Sequence, residues 1–383
     1  MKLLQEANFK GKKVFLRVDL NVPMKDGVIE DDNRIVAVLP TIKYILDHGG
    51  KIILGAHLGR PEGKNELSYS LWPVASRLAE LLELKVNFTE PAPIYELNDN
   101  ILLLENLRFD PREEANDAEF ARMLADKTRD ESFDSAQDRH GELGLYVNDA
   151  FAVSHRANAS VEAITKFLSS YAGLLLQKEI ENLTKIIENP EHPLIVVIGG
   201  VKVKDKAGVI SKLAETADKI LLGGGVANTF IKANGQNISN SVYDEDMVDD
   251  CKEMLDKYKD KIVLPGDFVK EPDENGTFKI LDIGGQTRTD FSNTIKSAKT
   301  VFWNGSLGHS EDSRCCGGMT SVAKAMNEVD GLTVIAGGDT VGFVRANGLD
   351  KNISFISTGG GAALEFLVGE KLPGLQALNE STN

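Results

Sequence analysis

LIVVIGGVKVKDK, residues 194–206, is the stretch from which the fold can be read. Its first five residues are apolar, rich in β-branched side chains and too few for a helix. They predict a parallel strand buried on both faces. Gly199 and Gly200 end the strand, Lys202, Lys204 and Lys206 follow, and a helical run occupies 207–217. A strand, a turn without side chains and cations beside a helix N-terminus together suit a phosphate group. Alone, the segment also fits an ordinary strand-to-helix turn with solvated lysines, so the surrounding chain has to decide.

Downstream the same alternation repeats. Strand 219–222 runs into Gly223–Gly224–Gly225 and a helix from Val226, and strand 300–303 runs into Asn304–Gly305–Ser306–Leu307–Gly308. Strand 332–336 runs into Gly337–Gly338–Asp339–Thr340, and a short strand near Phe355 runs into the glycines 359–361 and a helix. Glycine turns before helix N-termini allow close backbone approach and turn N–H groups toward nucleotide phosphates. Asp339, at a helix start among glycines, suits either an N-cap or a Mg²⁺ ligand. No GxxxxGK[ST] occurs, the 223–228 stretch fails GxGxxG at its last glycine, and no kinase-type catalytic loop is present. Upstream, 174–189 has helical periodicity that stops at Pro190 and predicts a helix joining two halves.

In the N-terminal half, strands are expected at 13–19, 51–56, 101–104 and 145–149, with an amphipathic helix at 72–84. A further helix follows Asp32; Pro40 must sit in its first turn or kink it. Each strand delivers polar groups just past its C-terminal end: Asp19 and Asn21, His57 and Arg60, Arg108, then Arg156, with Arg34 heading the first helix. In a parallel sheet these ends share one edge. Any one arginine there reads as a surface ion pair. Several at matching strand ends suit a ligand bearing phosphate and carboxylate, which guanidinium binds bidentately. His57 alone also fits a buried core histidine, and neither HExxH nor a helical histidine pair points to a metal. Residues 127–144 are polar and mixed in charge, and read as an exposed loop with no chemistry of its own.

At 383 residues the chain exceeds what one hydrophobic core serves, which predicts two domains of similar size. A net charge of −15 argues against nucleic-acid and anionic-membrane partners, so an anionic substrate needs a locally basic pocket. Three cysteines without CxxC spacing predict a reducing cytoplasm, and no signal peptide or membrane span is expected.

Taken together the motifs are familiar. RVDLNVP (17–23), DNRIVAVLPTI (32–42), HLGRP (57–61), LLLENLRF (102–109), VNDAF (147–151) and HRANAS (155–160) occupy the first half. GGVKVKDK (199–206), GGGVANTFIKANG (223–235), FWNGSLG (302–308), GGDT (337–340) and STGGGAALEFL (357–367) follow. In this order they resemble phosphoglycerate kinase from Met1 to about the last dozen residues. The resemblance implies an α/β protein of two Rossmann-like three-layer domains with mainly parallel sheets: 1–172 for 3-phosphoglycerate and 173–371 for the nucleotide. Residues from about 372 to 383 would pack back on the first domain. It implies reversible phosphoryl transfer between 1,3-bisphosphoglycerate and ADP, giving 3-phosphoglycerate and ATP, in glycolysis and gluconeogenesis. Closure of a hinge would bring the two substrates together.

By the same resemblance Asp19, Asn21, Arg34, His57, Leu58, Gly59, Arg60, Arg108 and Arg156 bind 3-phosphoglycerate. Gly200, Val201, Lys202, Lys206, Gly224, Gly225, Asn304, Glu311 and Gly337 to Thr340 bind ATP or ADP, with Glu311 at the ribose and Asp339 holding Mg²⁺. Arg34, Lys202, Gly338 and Gly361 would carry catalysis, in a cytoplasmic monomer. Several positions depart from the family pattern: Val201, Ser306, His309–Ser310, Ser313 to Gly318 and Ala336 all lie near the nucleotide. They leave open a binding protein that has lost turnover. A nicotinamide dehydrogenase is the other rival, disfavoured by the failed GxGxxG.

Overall fold

The structure is a computed structural model and describes residues 1–86, 88–129, 143–309 and 312–381. The chain divides into two compact units, Met1–Ile180 with Lys371–Asn383, and Glu181–Glu370.

The first unit is built on six strands: β1 (Lys13–Arg17), β2 (Lys51–Gly55), β3 (Ile94–Asn98), β4 (Ile101–Leu104), β5 (Leu145–Asn148) and β6 (Ser169–Ala172). Their order is β3-β4-β2-β1-β5-β6, parallel except for β3, which runs antiparallel to β4. Lys13 lies opposite Lys51 and Val14 opposite Leu145, so the strands end nearly level. The order reverses between β1 and its neighbours, placing the topological switch point beside the ends of β1 and β5. Val14 and Leu16 face α1 (Asn33–Asp47) and α2 (Trp72–Leu81), burying Ile35, Val38, Ile42, Val74 and Leu78 in one core. Each such side chain contributes about 1.5–3 kcal/mol by leaving water. Phe15 points to the other face of the sheet and stacks on Tyr146 with centroids 6.3 Å apart.

Pro40 stands in the interior of α1, beyond its first turn, and the helix runs through it. Strand β3 has no counterpart in the reading above, although its burial alternates, with Tyr95 and Leu97 inside and Ile94, Glu96 and Asn98 outside. The polar segment follows α3 (Ala118–Asp126); its residues 130–142 lie outside the described residues.

The helix read at 174–189 is α4 (Leu174–Ile187). Asp149, fully buried just past β5, accepts the N–H groups of Leu175 at 2.8 Å and Leu176 at 3.1 Å, satisfying two donors at its start. Burial pushes the Asp149 carboxyl up to about 6. A carboxyl whose folded pKa is raised stabilises the fold below its unfolded pKa, and that contribution is lost as pH rises through the folded value. Roughly two units correspond to about 3 kcal/mol, lost between about pH 4 and pH 6. Asp149→Asn is therefore expected to flatten this falling limb in chemical-denaturation curves taken across the interval. An unchanged slope would sink the assignment.

The second unit has β7 (Leu194–Ile198), β8 (Lys219–Leu222), β9 (Ile262–Val263), the antiparallel pair β10 (Phe268–Pro272) and β11 (Phe278–Ile283), then β12 (Thr300–Asn304), β13 (Leu332–Ala336) and β14 (Phe355–Ile356). The main sheet is fully parallel in the order β9-β8-β7-β12-β13-β14. Every residue of β7 and β12 is buried, as expected for central parallel strands. The helices are α5 (Ala207–Leu213), α6 (Gly224–Ala233), α7 (Val248–Tyr258), α8 (Gly285–Lys296), α9 (Gly317–Met326), α10 (Gly338–Ala346) and α11 (Gly361–Leu367). After β12 the next described helical turn is the 3₁₀ turn Ser313–Cys315 and the next α-helix is α9, so that turn is not an immediate strand-to-helix junction.

The last helix, α12 (Pro373–Glu380), belongs to the first unit. Gly374 donates to the Ser154 carbonyl at 2.8 Å, and Leu372, Ala377 and Leu378 are buried. No helix among the described residues is long and apolar enough to cross a membrane.

Candidate active site

In the first unit the strand ends carry a linked set of groups. Arg34, at the start of α1, pairs with Asp19 beyond β1 at 2.5 Å, and Asp19 also accepts the Asn21 N–H at 3.0 Å. The Asn21 side-chain oxygen accepts the Gly59 N–H at 2.8 Å, fixing the 57–61 turn. Gly59 has φ +63°, and a Cβ there would lie 2.3 Å from the Tyr69 ring, so conformation and space both require glycine. Arg108 is 5% exposed, donates to the Gly59 carbonyl at 2.8 Å and pairs with Glu114 at 3.3 Å. Arg156 donates to His155 at 3.2 Å. Arg60 is exposed and has no protein partner among the described residues.

His57 is 3% exposed, and burial holds its pKa well below the ordinary value, with Arg17, Arg108, Arg34 and Arg156 adding to the effect. The nearby positive charge and the burial together keep the imidazole neutral. Arg17 Nη2 lies 3.5 Å from His57 Nδ1. Arginine can only donate, so Nδ1 is the acceptor and the proton sits on Nε2.

Arg17 was not read as a site residue, and neither were its partners. It is 1% exposed, donates from Nε to Ser160 Oγ at 2.7 Å, and lies 3.8 Å from the equally buried Glu113. Glu113 accepts from the Ser160 N–H at 3.0 Å and from its hydroxyl at 2.5 Å. Asn106 was also missed: its amide donates to the carbonyls of Leu58 at 2.7 Å and Tyr69 at 2.9 Å, while its oxygen accepts the Arg108 N–H. The only sequence signal was the position of Arg17 and Asn106 inside RVDLNVP and LLLENLRF.

In the second unit the turns after β7, β12 and β13, with the start of α11, enclose a cavity of about 500 Å³. Gly200, Val201, Lys202, Lys206, Asn304, Gly337, Gly338, Asp339, Thr340 and Gly361 all line it, with Asp205, Ser306 and Leu364 added. Lys206 Nζ donates to the side-chain oxygen of Asn304, whose amide group donates to the Ala336 carbonyl at 3.0 Å. Burial lowers the Lys206 pKa, against the pull of Asp205 and Asp339. Thr340 Oγ1 accepts the Gly305 N–H at 3.0 Å and ties the turn after β12 to α10. Lys202 and Asp339 are exposed, and neither has a protein partner among the described residues.

A second cavity, of about 290 Å³, adjoins the first and shares Gly200, Val201, Ser306 and Asp339 with it. Gly224 and Gly225 line its wall, and a Cβ on Gly225 would meet the Val201 carbonyl at 2.4 Å. Glu311 lies outside the described residues. Three of the departures now have a physical reading. Ser306 contributes its carbonyl, which accepts the Gly200 N–H at 2.7 Å, and Ala336 likewise contributes a carbonyl, so other residues could serve. The Val201 side chain is 61% exposed.

A family model described as phosphoglycerate kinase matches residues 4–370. The phosphoglycerate kinase of Clostridium botulinum is 40% identical over 407 aligned positions, covering 99% of this chain and 98% of that protein. That of Corynebacterium aurimucosum is 44% identical, covering 96% of each. Among solved structures, phosphoglycerate kinase from Coxiella burnetii superposes with a TM-score of 0.82 at 33% identity, covering 99% of both chains. The Pyrococcus horikoshii enzyme gives 0.81 at 31%, covering 100% of this chain and 99% of that one. With a family match over nearly the whole chain and relatives well above 30% identity, the chain belongs to the phosphoglycerate kinase family.

Proposed function

We propose that the chain transfers a phosphoryl group reversibly between 1,3-bisphosphoglycerate and ADP, giving 3-phosphoglycerate and ATP. The glycerate substrate would lie on the strand ends of the first unit and the nucleotide in the glycine-lined cavity of the second. The observation that carries this is the basic set at the strand ends of the first unit, Arg34, Arg108 and Arg156 near the buried His57 with Arg60 exposed in the turn that follows it, in a chain of net charge −15. So much local cation in an acidic protein suits a small polyanion.

In the ATP-consuming direction the nucleophile is the substrate carboxylate. It is ionised at neutral pH, so no general base is needed. What remains is positioning and neutralisation of charge over the transferring oxygens. We assign that work to Arg34 and Lys202, with the N–H groups of Gly338 and Gly361 at the starts of α10 and α11. Arg60, Arg108 and Arg156 would take the carboxylate and phosphate of the glycerate. His57 would donate from Nε2, and Asp19, Asn21, Leu58 and Gly59 would shape the seat. Lys206, Asn304, Gly337 and Thr340 would hold the nucleotide phosphates, and Gly200, Val201, Gly224 and Gly225 the base.

Mg²⁺ fits Asp339, an exposed carboxylate without a protein partner among the described residues, in the first turn of α10. No group of three His, Cys, Asp or Glu side chains stands ready to hold a metal among the described residues, so phosphates and water would complete its coordination. When bound, the ion would neutralise charge on the phosphate oxygens. The reading also places the chain in the cytoplasm as a monomer.

The native chain, given 3-phosphoglycerate, ATP and Mg²⁺ and read through a coupled dehydrogenase, is expected to turn over at roughly 1–10³ s⁻¹. Binding of 3-phosphoglycerate without turnover would instead favour the binding-protein reading.

A further inference from the structure

The smaller cavity of the second unit contains a polar group that phosphate chemistry leaves without a task. Asn228, in the second turn of α6, is 3% exposed and lines this cavity, although its helix neighbours Val226, Ala227, Phe230 and Ile231 are buried and apolar. Its amide nitrogen donates to the Val242 carbonyl at 2.9 Å, and Val242 lines the same cavity. A carbonyl can only accept, so this bond fixes which end of the amide is nitrogen. The Asn228 oxygen is the other end, buried and without a hydrogen-bond partner. Buried acceptors are paired in the large majority of folded proteins, so one left over at a cavity wall points to a ligand donor.

The remaining surroundings suit a flat, largely apolar ring: Phe268, Ile283, Leu307 and Pro265 line the cavity. Asp282, the carboxylate that lines this cavity and not the larger one, is already engaged by the N–H groups of Ile283 and Gly318 and by Arg288. Asp339 also lines this cavity but belongs equally to the larger one, so among the carboxylate and amide side chains lining this cavity alone Asn228 is the acceptor left without a partner among the described residues.

We propose that Asn228 determines the nucleobase, its side-chain oxygen accepting a hydrogen bond from the exocyclic amine of a 6-aminopurine. The inference rests on the reading that this cavity holds the base of the nucleotide. A 6-oxopurine would set oxygen against oxygen. Turning the amide over to greet it would break the bond to Val242 and set the Asn228 oxygen against that carbonyl. A purine without a 6-substituent would leave the Asn228 oxygen unpaired but unopposed.

Calorimetric titration of the native chain with ADP, IDP and purine riboside 5′-diphosphate tests this without any variant. ADP is expected to bind roughly ten- to hundredfold more tightly than IDP, with the unsubstituted purine between them. Asn228→Leu removes the acceptor and is expected to bring the three affinities within about threefold of each other. Asn228→Asp, which keeps an acceptor oxygen, should still favour ADP. Equal binding of ADP and IDP by the native chain would overturn the role of Asn228 and leave the nucleotide site standing. Failure of all three to bind would overturn the nucleotide reading itself, and this inference with it.

Discussion

Lys202→Ala is expected to lower kcat by roughly 10²–10³-fold, and Arg34→Ala by at least as much. Both side chains are assigned to charge that develops only as the phosphoryl group moves, so the loss should fall on kcat and kcat/KM together. A rise in KM with kcat intact would mean that they merely bind the ground state, and would remove them from the catalytic role. Stability separates the two variants from simple misfolding. Lys202 is exposed and unpartnered among the described residues, so its removal should shift unfolding by no more than about 0.5 kcal/mol. Arg34 is different, because its loss strips the cation from Asp19, whose side chain is only 4% exposed. Arg34→Lys is the control: it keeps the charge but not the fork, and should recover stability better than rate.

Glu113→Leu is expected to destabilise the first unit by about 3–5 kcal/mol, because it leaves the buried Arg17 guanidinium without its carboxylate. Arg17→Met with Glu113→Leu should regain much of that loss, since replacing a whole buried pair by apolar groups is often neutral. The chain has two tryptophans, Trp72 in the first unit and Trp303 in the second. Urea unfolding followed by Trp72 fluorescence in a Trp303→Phe background therefore reports the first unit alone. If the double variant were as unstable as the sum of the singles, the pair would be uncoupled and its structural role refuted. The same lesion should raise KM for 3-phosphoglycerate, because Arg17 also fixes the tautomer of His57.

The parallel sheets were legible because a central strand leaves a plain trace: five apolar residues, then glycine, as at Leu194–Ile198. The basic edge was legible because strand ends in register must meet. Other features depend on long-range partners. A buried arginine within β1 looks, in sequence, like any polar interruption, and nothing near Arg17 announces Glu113. Asn228 was hidden similarly, as one polar residue on a helix whose burial only the tertiary fold reveals. The hairpin of β10 and β11 is a different case. Asp273–Glu274–Asn275–Gly276 is a turn whose Asp273 oxygen accepts the N–H groups of Asn275 and Thr277, with Gly276 at φ +77°. That signal is local and stands in the sequence itself. At Ser306 and Ala336 the backbone carbonyls make the contacts, which the side-chain letters of a sequence do not display.

The return of α12 to the first unit has a consequence for birth on the ribosome. Glu181–Glu370, 190 residues, is threaded between the two pieces of that unit. At roughly 5–20 residues per second, its synthesis separates them by about 10–40 s. The second unit is continuous and can fold as it emerges. The earlier-made unit must wait through that interval with the seat at Ser154 and Val161 uncovered, and is the last to be completed.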